Sequence, residues 1–147
     1  MERPAPQHDA ESVRVRILAE HAALRSALDE LETLSEAFRH GQTGLAAKLR
    51  ETGKAFVEVF AAHILTEDTL LVAALRTLES GDDLADRLVH EHREQRELIG
   101  YLLGRLADDG RPTTLVANEM RSFAHLVRID MEHEEGTILR EDLLCDR

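Results

Sequence analysis

The segment of residues 56–67, FVEVFAAHILTE, places two aromatic side chains, a histidine and a glutamate on one side of a helix. Phe56 and His63 are two helical turns apart, and Phe60 and Glu67 have the same separation. This spacing predicts a helix whose inward face is apolar at first and then carries His63 and Glu67. An ionisable pair on an inward face needs partners elsewhere in the core, because unpaired buried charges are costly.

The segment of residues 123–134, FAHLVRIDMEHE, repeats the same pattern later in the chain. Asp130 and Glu134 stand at the positions equivalent to His63 and Glu67, since their distances from the first phenylalanine agree. The chain is therefore interpreted as two weakly similar helical hairpins that carry equivalent inward groups.

The helix that precedes each of these segments contains a Glu-His dipeptide, with His21 in the first half and His92 in the second. Apolar residues recur around both histidines at intervals of three and four, which predicts that both face inward. Antiparallel helices place residues equidistant from their loop at similar heights. Counting from the turns, His21 is expected to meet His63, and His92 is expected to meet Asp130.

Apolar periodicity and the positions of glycine and proline predict four helices, over residues 12–40, 45–80, 82–108 and about 113–142. The predicted N-cap residues are Ser12, Asp82 or Asp83, and Thr113. Short connections make sequential helices antiparallel neighbours. The predicted fold is all-α, an up-down-up-down antiparallel four-helix bundle over residues 12–147, preceded by a flexible N-terminal tail over residues 1–11.

The composition of the chain argues against several classes of function. The chain has 29 acidic and 18 basic residues and a formal net charge of −11, which argues against binding to nucleic acid or to anionic membranes. It contains neither a membrane-spanning apolar run nor the apolar segment of a signal peptide, so a cytoplasmic location is expected. Cys145 is the single cysteine. Any bound metal would therefore be held by nitrogen and oxygen atoms.

Six ionisable side chains are predicted to face the core at neighbouring levels: His21, His63, Glu67, His92, Asp130 and Glu134. Buried carboxylates need compensating positive charge, and metal cations supply it. Three imidazoles and three carboxylates suit two octahedral first-row metal ions with bridging carboxylates. The ligand types admit iron, manganese and, less readily, zinc. A purely hydrogen-bonded polar core is the alternative.

The motifs around these residues resemble those of the hemerythrin-like, histidine-histidine-glutamate cation-binding family of di-iron four-helix bundles. The matching motifs are AEHAALR around His21, HILTED from His63, HEHREQR around His92 and EHEEGTIL around Glu134. The resemblance covers residues from about 12 to 144. It implies a cofactor of two iron ions joined by an oxo or hydroxo bridge. The histidines are then terminal ligands, and Glu67 and Glu134 are bridging carboxylates.

The fourth helix departs from the family pattern, because Asp130 stands where a histidine is expected. The spacing from His125 to Asp130 also resembles the His-x4-Asp motif of oxygen-carrying hemerythrins, which makes His125 an alternative ligand. Its charged helical neighbours indicate a solvated face, so the first alignment is preferred. His133, at the margin of the core, is a further alternative for the missing imidazole. Arg96 replaces a second histidine of the oxygen carriers, which argues against simple oxygen carriage.

The resemblance and the ligand set together predict a centre that reacts with oxygen, peroxide or nitric oxide. Its most concrete enzymatic form is catalase-like peroxide breakdown or peroxide reduction. A mixed histidine and carboxylate shell stabilises ferric iron, and Asp130 in place of an imidazole strengthens that preference. Sensing or storage of oxygen or iron is the alternative without turnover. An electron donor or a signalling partner is unidentified, and a metal-free helical interaction module is the third hypothesis.

Overall fold

The computed structural model describes residues 9–140, and within this range the chain forms four helical rods that pack as a bundle. The rods are α1, Ala10–Arg39; α2, Ala46–Thr66, continued by a π-helical turn, Glu67–Leu71, and by α3, Val72–Arg76; α4, Asp82–Ala107; and α5, Thr113–Gly136. A 3-10 turn, Thr43–Leu45, leads into α2. The predicted all-α four-helix bundle is confirmed.

The helix ends differ from the predicted ones. Asp9 caps α1 in place of Ser12, since its carboxylate accepts the backbone N–H of Ser12 at 2.8 Å. The caps predicted for α4 and α5 are also wrong, because those helices begin directly after Gly81 and Pro112 and the predicted caps lie within them. Helix α5 ends at Gly136, short of the predicted end near residue 142. The errors at the N-terminal ends arise because several neighbouring residues can each cap a helix.

The predicted domain bounds stay a prediction. Helix α1 begins at Ala10, two residues inside the predicted tail, and residues 1–8 lie outside the described part of the chain. Residues 141–147, including Cys145, also lie outside it. Among residues 9–140, no helix has both the length and the apolarity needed to cross a membrane.

Two apolar clusters fill the core, one on each side of a polar layer. The larger cluster includes Leu28 and Phe56, and the smaller includes Ile17 and Leu75. Between them lie five buried ionisable side chains: His21, His63, Glu67, His92 and Glu134. Among the described residues, Ser35 is the one other buried polar side chain. The buried polarity of the bundle is therefore concentrated at one level.

The turn between α3 and α4 brings the backbones of the two helices close together. Ser80 has a φ of +66°, and a Cβ atom added to Gly81 would lie 1.8 Å from the carbonyl oxygen of Leu75. Glycine at residue 81 therefore lets the backbone of the two helices approach closely enough to make this turn.

Candidate metal centre

All four helical rods contribute to the polar layer. His21 comes from α1, His63 from α2, Glu67 from the π-helical turn, His92 from α4 and Glu134 from α5. Even the most exposed of these side chains, His63, retains 5% of its accessible surface. The cluster is therefore shielded from bulk water, and its electrostatic interactions are stronger than they would be at the surface.

The π-helical turn begins at the central carboxylate. The backbone N–H of Val72 bonds to the carbonyl oxygen of Glu67, which closes the wide turn. Single π turns within α-helices occur frequently at functional sites. Here the turn carries two adjacent acidic residues, Glu67 and Asp68, and both contact His92.

The Nε2 atoms of the three histidines surround the carboxylate of Glu67. Oε2 of Glu67 lies 3.0 Å from Nε2 of His63 and 3.6 Å from Nε2 of His21. Oε1 lies 2.9 Å from Nε2 of His92. The two oxygens therefore face different imidazoles, with two histidines on one side and one on the other.

Glu134 completes the group on the side of His21. Its Oε1 lies 3.2 Å from Nε2 of His21. His21, His63, Glu67 and Glu134 each offer one ligand atom, and these four atoms all lie within 4.8 Å of one another. Such a convergence of nitrogen and oxygen atoms suits a first-row metal ion.

The outer nitrogen of each histidine contacts a second carboxylate, which comes from a neighbouring rod. The Nδ1 distances are 2.8 Å for His21 to Glu135, 2.7 Å for His63 to Glu20 and 2.5 Å for His92 to Asp68. A carboxylate that accepts the Nδ1 proton fixes the tautomer in which Nε2 presents its lone pair to the centre. All three imidazoles are thus oriented as metal ligands would be.

An arginine pairs with each of these outer carboxylates: Arg25 with Glu135, Arg16 with Glu20 and Arg96 with Asp68. The contact of Arg25 is bidentate, at 2.8 and 2.9 Å, and its hydrogen bonds lower the pKa of Glu135. We call each series of arginine, outer carboxylate and histidine a relay. Arg96, which stands where the resemblance predicts a second histidine, therefore pairs with an outer carboxylate in this chain.

Sequence reasoning missed the three outer carboxylates. Each is adjacent in sequence to a residue of the polar layer: Glu20 precedes His21, Asp68 follows Glu67, and Glu135 follows Glu134. Helical periodicity places such neighbours at the edge of the inward face, where a solvated role is usual. The sequence signal that could have revealed the outer carboxylates is an acidic residue directly beside a predicted ligand.

Unsatisfied polar atoms test whether a cation fits. Nε2 of His21, Oε2 of Glu67 and Oε1 of Glu134 are buried and have no hydrogen-bond partner. With Nδ1 of His21 donating to Glu135, its Nε2 is an acceptor that faces two carboxylate oxygens. Three acceptors that face one another repel, and a cation between them removes the repulsion. The donor set therefore fits a metal ion.

The pKa shifts of the buried carboxylates and histidines also indicate that positive charge stabilises the layer. Burial acts to raise the pKa of Glu67, but its close contacts with the three histidines hold it well below its ordinary value. Burial and the negative charge of Glu67 raise the pKa of Glu134 well above its ordinary value. Burial acts to lower the pKa of His63 and His92, yet their bonds to carboxylates leave both raised. Protons or a metal ion can supply the charge.

The three remaining predicted positions lie outside the buried group. Asp130 is half-buried, one helical turn before Glu134. Burial and the charge of Glu67 raise its pKa, while a hydrogen bond with Gln95 lowers it. His125 and His133 are both exposed. The structure therefore brings five of the six preferred residues together and places Asp130 at the edge of the layer.

Comparison with known proteins identifies one family. The family described as Hemerythrin HHE cation binding domain matches residues 13–141. No curated protein and no solved structure matches the chain. The matched range contains every residue of the polar layer and the three relays.

Proposed function

Because the chain belongs to the Hemerythrin HHE cation-binding domain family, we propose that its polar layer holds two iron ions and reacts with oxygen, peroxide or nitric oxide. The position of the Glu67 carboxylate carries this proposal. Oε2 faces His21 and His63, while Oε1 faces His92. A carboxylate between separate sets of imidazoles is suited to bridge two cations.

The proposed ligands divide between the two ions. His21 and His63 would hold one iron, and His92 and Asp130 would hold the other. Glu67 and Glu134 would bridge the pair, together with an oxo or hydroxo group. This division follows the two oxygens of Glu67 and the place of Asp130 on the rod of Glu134.

Iron bound by these residues would supply the redox chemistry, giving electrons to the oxidant or accepting them from it. The chain determines which oxidation state is favoured. Three carboxylates offset the positive charge of the ions, and the outer carboxylates make the imidazoles more basic through their Nδ1 protons. Both effects favour ferric iron. This preference supports reaction with an oxidant over reversible release of oxygen.

Catalase-like breakdown is the most concrete form of this reaction, because it converts two molecules of hydrogen peroxide to one of oxygen and two of water without an external electron donor. Peroxide reduction, by contrast, takes two electrons from a donor for each molecule of peroxide. The burial of the layer supports either form, since exclusion of water limits side reactions of the bound oxidant.

Metal analysis of protein purified without oxygen and supplied with ferrous iron tests the metal claim. We expect two irons per chain in the natural protein and fewer in His92→Ala. His90→Ala is the matched control, because His90 is an exposed histidine on the same helix. Fewer than about one iron per chain in the natural protein, or equal loss in both variants, would contradict the proposal.

Oxygen evolution after addition of excess peroxide tests the reaction. We expect oxygen in amounts that exceed the iron content many times over. A single stoichiometric change of the absorption spectrum without turnover would instead support sensing or storage and would rule out the catalytic form.

A further inference from the structure

A cavity of about 300 Å³ opens between α4 and α5, beside the polar layer. Its wall is mostly apolar and includes Leu98, Phe123 and Val127. Leu126 and Ile129 also line it, and they keep 53% and 50% of their surface exposed. An apolar ligand that covers these half-exposed side chains removes apolar surface from water, and this burial favours binding.

The polar end of this cavity is acidic. Asp130, Gln95 and His133 line it together with the apolar wall. None of the described residues in the lining is lysine or arginine, so an anionic ligand would meet the Asp130 carboxylate without a permanent positive charge in the lining. A ligand with a hydrogen-bond donor would meet an acceptor in Asp130.

The size of the cavity limits the ligand. An apolar cavity of about 150 Å³ in another protein is large enough to bind benzene. The cavity between α4 and α5 has about twice that volume. It can therefore take an aromatic ring with a few further atoms, and the rings of Phe60 and Phe123, 5.6 Å apart and nearly perpendicular, border that space.

We propose that this cavity binds a small, largely apolar molecule without negative charge that ends in a hydrogen-bond donor, such as a phenol or an arylalkyl amine. The apolar body lies against Leu98, Phe123 and Leu126, and the donor bonds to Asp130. Binding in the cavity does not require a metal ion. Its link to the metal centre rests on the proposed function, in which Asp130 is also an iron ligand.

Calorimetric titration of the full chain, as purified, tests this inference with four probes. Phenol and benzylamine should both bind saturably. Comparison of their affinities shows whether the cavity prefers a neutral donor, as in phenol, or a cationic donor, as in benzylamine. Toluene has the same ring without a donor and should bind at least fivefold more weakly than the better of the two. Benzoate carries a negative charge and should not bind. Equal affinity for all four probes, or no saturable binding of phenol and benzylamine, would overturn the proposal.

Two tryptophan substitutions on α5 locate the binding site. Leu126→Trp fills the cavity and should weaken binding at least tenfold. Leu115→Trp is the matched control, because Leu115 is an exposed leucine of the same helix, 43% accessible, that does not line the cavity. Circular dichroism should show that both variants are folded. Equal weakening in both folded variants, or none in Leu126→Trp, would refute this location.

Iron content measured on the same samples separates this inference from the proposed function. Two irons per chain without binding of phenol or benzylamine would overturn the inference and leave the proposed function in place. Binding that Leu126→Trp abolishes, in a chain that does not take up iron, would support the inference and contradict the proposed function.

Discussion

Glu135→Gln should weaken iron binding without unfolding the bundle. The carboxylate of Glu135 accepts the Nδ1 proton of His21 at 2.8 Å and is held by two bonds from Arg25. The amide keeps the size of the side chain but loses the charge that makes the imidazole basic. Loss of such a partner costs about 10- to 100-fold in metal affinity. That is about 1.4–2.7 kcal/mol at 25 °C.

Competition with a chromogenic iron chelator measures this loss, and thermal unfolding of the same samples checks the fold. The side chain of Glu135 is 28% exposed, so its ion pair with Arg25 adds about 1 kcal/mol or less to stability. Glu132→Gln is the matched control, because it makes the same change at an exposed residue of α5. Equal losses of iron affinity in the two variants, or none in Glu135→Gln, would refute the role given to the relay.

Three further outcomes are expected. Gly81→Ala should lower the free energy of unfolding by about 3 kcal/mol in urea titrations, since the new Cβ would meet a backbone oxygen, whereas Gly44→Ala has free space and should be neutral. In metal-free protein, the raised pKa of His63 stabilises the fold, fully below the ordinary pKa of 6.5, and this stabilisation is lost as the pH rises through the raised pKa. The free energy of unfolding should therefore be lower at pH 8 than at pH 6, while iron affinity should be higher. Equal stability at both pH values would contradict this. Asp130→His should keep two irons per chain and turn over peroxide more slowly, and loss of the metal in that variant would show that the proposed alignment of α5 is wrong.

Several features of the polar layer follow from sequence spacing. The separation of His63 and Glu67 by four residues places both on one face, and counting from the turn predicted that His21 meets His63. Their ring centroids lie 5.1 Å apart. These predictions succeed because a regular helix converts sequence distance into height and direction. The prediction that Asp130 meets His92 in the core is only partly confirmed, since the side chain of Asp130 lies at the edge of the layer and lines the cavity.

The relays could not be predicted in the same way. Glu20 on α1 reaches His63 on α2, and Asp68 reaches His92 on α4. Such contacts depend on the rotation of one rod relative to the next, and periodicity within a single helix does not specify that rotation. The π-helical turn could not be predicted either, because its segment, EDTLL, contains no glycine or proline that would mark an interruption of the helix.

The relays also show how the contact between α4 and α5 differs from the contacts between the other helices. The outer carboxylates link α5 to α1, α1 to α2, and the π-helical turn to α4. Within residues 9–140, no carboxylate–histidine pair links α4 to α5 in this way. The resemblance to the family predicts an imidazole at the position of Asp130 on α5, and a carboxylate there has no ring N–H to donate to a carboxylate of α4. The cavity lies along the same pair of helices and ends at Asp130. Under the proposed alignment, the aspartate at residue 130 would account both for the missing link between the two helices and for the acceptor that we propose an incoming molecule meets.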